Sequence, residues 1–163
     1  MAYKFCPKCT SQLAEVEIGG YPRLKCTSET CDFVFWDNPT PVVAAIVEHE
    51  GKVILTQNVG WPENWWGIVA GFLEKGETPE AGALREVKEE LGLDGEIVSF
   101  VGHYAFVERN QIIFAYHIKA EGEIIVGEEL AQIKAVPPEE IKLWALGTGP
   151  ALKAWLNSRK NKE

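Results

Sequence analysis

Apolar and polar positions alternate only in places along this chain, and those places lay out an α/β protein. Residues 42 to 49 and 52 to 57 are runs rich in β-branched and small apolar side chains, parted by Glu50-Gly51, which is the pattern of a buried hairpin. Residues 96 to 107 and 111 to 120 repeat the pattern around Arg109-Asn110. Residues 131 to 136 read as a short strand, then a helix begun by Pro137-Pro138, then a terminal helix over about 150 to 159. Between the two hairpins the period changes from two to 3.6. Leu84, Val87 and Leu91 fall on one face, and Glu86, Glu89 and Glu90 gather on the other. Thr78 is a good N-cap, Pro79 suits the first helical position and Gly92 suits a left-handed stop, so the spacing predicts a helix from 79 to 91. Its apolar face packs and its acidic face projects.

The acidic face carries the first candidate chemistry. Carboxylates at i, i+3 and i+4 repel by a few tenths of a kcal/mol per pair in water, and a divalent cation turns that repulsion into coordination. Hard Mg²⁺ or Mn²⁺ takes oxygen ligands and keeps several waters, which leaves room for phosphate oxygens. Glu77, just before the helix, can reach the same place, and Arg85, which stays charged, can orient a carboxylate by a bidentate pair.

The four cysteines add a second metal set. All lie in the first 31 residues, as Cys6-x2-Cys9 and Cys26-x4-Cys31, with sixteen residues between the pairs and Gly19-Gly20 as a turn. That spacing is a zinc-ribbon signature, and four thiolates leave no open position, so the zinc is structural. Pro39-Thr40-Pro41 reads as the joint, which divides the chain into a ribbon over 1–37 and a larger domain over 38–163.

Composition narrows the partners. The 163 residues are 46% hydrophobic and 25% charged, with a net charge of −8. These are globular values, and the acidic balance disfavours nonspecific nucleic-acid binding. No run approaches a membrane span, and the opening MAYKFCPKCT lacks the apolar core of a secretory signal, so the cytoplasm is the expected location. Nothing in the sequence excludes a homodimer.

Residues 71 to 93, GFLEKGETPEAGALREVKEELGL, resemble the complete Nudix box, with Gly71, Glu77 and then Arg85-Glu86-Val87-x-Glu89-Glu90-x-Gly92-Leu93 in place. The resemblance implies an α/β/α sandwich with a mixed sheet and metal-dependent attack of water on a pyrophosphate that links a nucleoside diphosphate to another moiety. It implies Glu86, Glu89 and Glu90 as metal ligands together with the backbone carbonyl of Ala70, and Glu77 and Arg85 as supports of the loop and helix. KFCPKC, YPRLKC and FWDNP, running into PVVAAIVEHEGKVIL, are similar to the zinc-ribbon members, which include NADH pyrophosphatases and ADP-ribose and FAD pyrophosphatases. Val69-Ala70-Gly71 stands where many members carry Pro-Gly-Gly, and it resembles the ADP-ribose and NADH group. The SQPWPFPxS array of NADH pyrophosphatases is replaced here by HYAFVERNQ, which weakens NADH as the preferred substrate.

By the same resemblance Trp36 and Phe72 stand where aromatic side chains contact the nucleotide. Trp61 and Trp65 also fall near the box, whereas Trp66 and Trp144 read as packing residues. Glu129, with Glu128 as its rival, stands where a loop carboxylate helps bind metal or activate water, and either Glu89 or Glu129 could take the water proton. The expected substrate is ADP-ribose or a dinucleotide such as FAD or NADH. Two alternatives stay open: a nucleotide sensor whose ribbon docks a protein or RNA, and removal of NAD-type caps from RNA.

Overall fold

The computed structural model describes residues 3–160. The chain separates into two compact units, one up to Asn38 and one from Pro39 onward.

The first unit is a three-stranded antiparallel sheet, β1 (Leu13–Ile18), β2 (Tyr21–Cys26) and β3 (Val34–Phe35), in that order. Ile18 pairs with Tyr21, so Gly19 and Gly20 alone make the turn. Both have positive φ, at 62° and 81°, which is what a two-residue turn matched to strand twist demands. Among the described residues of this unit only Cys6 and Cys26 are buried. Among its described residues no hydrophobic cluster forms.

The second unit holds β4 (Thr40–His49), β5 (Lys52–Asn58), β6 (Val69–Phe72), α1 (Pro79–Leu91), β7 (Asp94–Phe106), β8 (Gln111–Glu121), β9 (Leu130–Val136) and α2 (Gly149–Lys160). The sheet order is β7-β8-β4-β5-β9, with β6 also on β4. Strands β4 and β8 run parallel and the remaining pairs antiparallel, so the sheet is mixed. Side chains of β4 alternate between two cores. Val43, Ala45 and Val47 pack with Val87 and Leu91 of α1. Val42, Ala44 and Ile46 pack with Ala151, Leu152 and Trp155 of α2. A strand buried on both faces reads as a continuous apolar run, which is why residues 42 to 47 show no polar alternation. The result is an α/β/α sandwich. Burial of each large aliphatic side chain contributes about 1.5–3 kcal/mol to holding the helices on the sheet.

The expected helix at Pro137-Pro138 is one 3-10 turn, Pro138–Glu140, with no buried residue. Two prolines start a turn, but Glu139 and Glu140 offer nothing to pack, so the helix does not propagate. Trp66 and Trp144 pack against the α2-side core, as expected for packing residues. Among the described residues no helix is long and apolar enough to cross a membrane.

Candidate active site

Strand β6 and helix α1 build the site. Thr78 Oγ1 accepts from the Ala81 backbone N–H at 3.2 Å, Pro79 opens the helix, and Gly92 closes it at φ 70° with its N–H on the Lys88 carbonyl. The caps fix where the glutamates fall. Two of the three do not project, contrary to the helical-wheel expectation: Glu86 is 8% exposed and Glu90 5%, and only Glu89 reaches solvent. The cause is β6, whose backbone lies over this flank of the helix. A Cβ on Gly71 would collide with the Glu86 carboxylate, so only glycine leaves room for that acid. The Ala70 backbone N–H points to Glu90 Oε1 at 3.4 Å, while Glu90 Oε2 is buried without a partner.

Arg85 ties the array together. Its Nε and Nη2 donate to the two oxygens of Glu77 at 3.2 and 2.8 Å, and Nη2 also donates to the Phe72 carbonyl at 3.0 Å. Its Nη1 donates to Glu86 Oε1 at 2.7 Å and to Glu89 Oε2 at 2.8 Å. Glu77 in turn accepts from the Glu74 N–H at 2.7 Å, which pins the loop to the helix. The Arg85 guanidinium, with help from that amide, holds Glu77 below the usual carboxylate range. Burial raises Glu86 even though Arg85 opposes the shift. Burial pushes Glu90 up to about 8; the Ala70 amide opposes this, and the charges of Glu86, Glu129 and Glu89 add to it. Burial thus favours the neutral form of Glu90.

The segment before β9 completes the group. Gly127 N–H donates to the Glu90 carbonyl at 2.8 Å and Ile125 N–H to the Leu91 carbonyl at 2.9 Å, which satisfies the open end of α1. The Glu129 carbonyl accepts from Val59 N–H at 2.9 Å, and the charge of Glu129 acts on both buried acids. Glu128 is exposed beside it. Phe72 ends β6 with 57% of its surface exposed. Trp36, in the first unit, is half exposed with the Arg23 guanidinium 5.7 Å from its ring centroid. Sequence reasoning passed over Gly127, whose absent side chain lets the segment lie against Glu89 and Glu90. Its signal is one glycine before two glutamates, too common to single out.

The donor chemistry fits a hard cation. Glu86, Glu89, Glu90 and the Ala70 carbonyl offer oxygen alone, and the orphaned, buried Glu90 oxygen has a desolvation cost that a cation would offset. Arg85 serves Glu86 and Glu89 as counter-ion meanwhile. The cysteine set is tighter. The four sulfur atoms lie within 4.8 Å of one another, and among the described residues no other group of three or more such ligand atoms converges so closely. All four are free thiols, with Cys6 and Cys31 sulfurs 3.8 Å apart and those of Cys9 and Cys26 3.4 Å. Hydrogen bonds from Ser11 lower Cys9 to about 6. The Ser28 amide favours the Cys26 thiolate, yet burial and the other thiols push that group up to about 12. Four crowded sulfurs cannot all ionise alone, and a tetrahedral soft cation such as zinc removes the conflict.

The helix after β6 carries a row of carboxylates that lies under a glycine and is clamped by one arginine. The chain belongs to the Nudix family, since the NUDIX domain model matches residues 38–155. It is 37% identical over 113 residues to the NAD-capped RNA hydrolase NUDT12 of Homo sapiens, covering 64% of this chain and 23% of that protein. It is 24% identical over 143 residues to the NAD-capped RNA hydrolase NudC of Pseudomonas fluorescens, covering 83% of this chain and 50% of that protein. The chain thus spans half or less of the length of these relatives. Among solved structures, a NUDIX hydrolase from Nitrosomonas europaea superposes with a TM-score of 0.81 at 26% identity, over 99% of this chain and 94% of that one. An ADP-ribose pyrophosphatase from Streptococcus suis shares the fold, with a TM-score of 0.63 at 19% identity over 77% of this chain and 96% of that one.

Proposed function

We propose that this chain hydrolyses the pyrophosphate of a nucleoside diphosphate linked to a second moiety, with ADP-ribose or a dinucleotide such as FAD or NADH as substrate. The observation that carries this reading is Glu90: a buried carboxylate with one oxygen unpartnered, in a cluster of acids, is costly unless a cation completes it. Glu86, Glu89, Glu90 and the Ala70 carbonyl would hold Mg²⁺ or Mn²⁺. Such an ion, when bound, lowers the pKa of water and neutralises charge on phosphate. Glu89, the exposed member, or Glu129 accepts the proton of the attacking water. Arg85 keeps Glu77, Glu86 and Glu89 in register, and Phe72 offers a ring face to the base. Cys6, Cys9, Cys26 and Cys31 hold a structural zinc in a ribbon over 1–37, apart from a catalytic domain over 38–163.

The names of the relatives favour a second reading, the same bond broken in NAD-capped RNA. Weighing against it, a net charge of −8 gives little attraction for a polynucleotide backbone. One panel separates the readings: ADP-ribose, NADH, FAD, diadenosine polyphosphates, nucleoside triphosphates and an NAD-capped oligonucleotide, each with Mg²⁺ and Mn²⁺. Diphosphate-linked small molecules are expected to exceed triphosphates in kcat/KM by tenfold or more. A triphosphate best by tenfold, or no hydrolysis at all, overturns the proposal.

A further inference from the structure

The loop between β5 and β6 holds two large apolar side chains out to solvent in a fixed arrangement. Trp61 is 42% exposed and Trp65 58%, with ring centroids 6.5 Å apart and planes at 73°. Exposed indoles normally fold back onto a core. Here the buried Gln57 pins the loop backbone between them: its Nε2 donates to the carbonyls of Pro62 and Trp65 at 2.9 and 3.0 Å, and its Oε1 accepts from Gln132 at 2.7 Å. The Trp61 ring is backed by Gly67, where an added Cβ would lie 3.3 Å from it. One wall is therefore fixed and the other open.

The root of the loop joins the site. Val59 N–H bonds the carbonyl of Glu129, whose charge reaches Glu86 and Glu90, and Thr56 bridges Gly67 just before β6. We propose that Trp61 and Trp65 form a right-angled corner that receives the planar heteroaromatic ring of the moiety leaving with the second phosphate, which makes a dinucleotide-type diphosphate the preferred substrate. This inference rests on the pyrophosphatase reading above. A ring seated there lies face-on to Trp65 and edge-on to Trp61, both favoured aromatic geometries. The loop from Asn58 to Trp66 carries one charge, that of Glu63, and no cation, so it suits a ring and repels a phosphate. Stacking of this kind tolerates any base, so the corner reads the presence of a ring rather than its identity.

The test compares diadenosine diphosphate with ADP-ribose, which share the ADP half and differ in whether a ring or only a sugar follows. Trp65→Leu keeps apolar bulk and removes the stacking face. It is expected to lower the ratio of kcat/KM for diadenosine diphosphate over ADP-ribose at least tenfold, through KM, while Trp65→Phe stays within threefold of wild type. In parallel, calorimetric titration of the uncleavable methylene-bridged diadenosine analogue with Mg²⁺ should show Kd rising at least tenfold in Trp65→Leu. An unchanged ratio with Kd within threefold, or equal losses on both substrates, overturns the corner. Should the wild type cleave neither compound, the titration alone decides the corner, while the hydrolase reading is decided by the full substrate panel. A substrate whose ring comes from capped RNA is distinguished by running the NAD-capped oligonucleotide beside NAD: a loss on both in Trp65→Leu keeps the proposal, and a loss on neither sinks it.

Discussion

At Glu90 a single side chain carries the electrostatic cost of the acidic cluster. Its ordinary carboxylate value lies near 4.5 and the folded value near 8, raised first by burial. Between those limits the folded chain holds a proton that the unfolded chain has released, so stability without metal falls as pH rises through that window, by on the order of a few kcal/mol. Below it both states are protonated, and above it both are ionised with the penalty still in place. Glu90→Gln removes the ionisation. The metal-free variant is therefore expected to melt at or above the wild-type temperature at pH 9, with the gap closing toward pH 5; a variant that melts lower than wild type at pH 9 would contradict this. Three glutamates at helical spacing beside an arginine were legible in the sequence as an acidic array. Their burial was not. A wheel places Glu86 and Glu90 opposite the apolar face, and only the missing side chain of Gly71 hints that backbone covers them.

Helix α1 is the element that turns residue types into a site, and its two ends matter differently. The start rests on the Thr78 cap, so Thr78→Ala should lower stability by about 1 kcal/mol and leave kcat/KM within threefold. The other end rests on the segment through Gly127, where a Cβ would lie 2.5 Å from the Glu89 carbonyl and 3.2 Å from the Glu90 Cα. Gly127→Ala should destabilise by about 1–3 kcal/mol and also depress activity at least tenfold, since the strain falls on the backbone that carries Glu89 and Glu90. Chemical denaturation and steady-state kinetics on the two variants measure the contrast, and equal activity loss in both would mean the helix acts only as a scaffold. The caps made α1 readable to its last residue, and the hairpin around Glu50-Gly51 was readable from Gly51, whose φ of 76° suits glycine, while Glu50 is held at a φ of 49° that glutamate seldom adopts. Strand β6 escaped because four residues are too few to show a period. The Pro137-Pro138 turn was overread because proline signals a start and says nothing of length.

Across the whole molecule the chain divides its candidate metal ligands by softness. Sulfur sits in a unit whose described residues bury only Cys6 and Cys26, so a metal bound there would supply folding energy, whereas oxygen sits in a unit already held by two apolar cores. One zinc per chain is expected to survive dialysis, and Cys6→Ser should speed hydrogen exchange in residues 3–36 more than in the second unit. Freshly purified protein without zinc would remove the ribbon assignment. The central claim concerns the other unit, and the most direct measurement is kcat/KM of Glu90→Gln on the best diphosphate substrate with saturating Mg²⁺. Because the amide keeps the shape of the side chain and loses its charge, turnover should fall at least a hundredfold while the variant still unfolds cooperatively. A value within threefold of wild type would show that the buried carboxylate holds no catalytic cation.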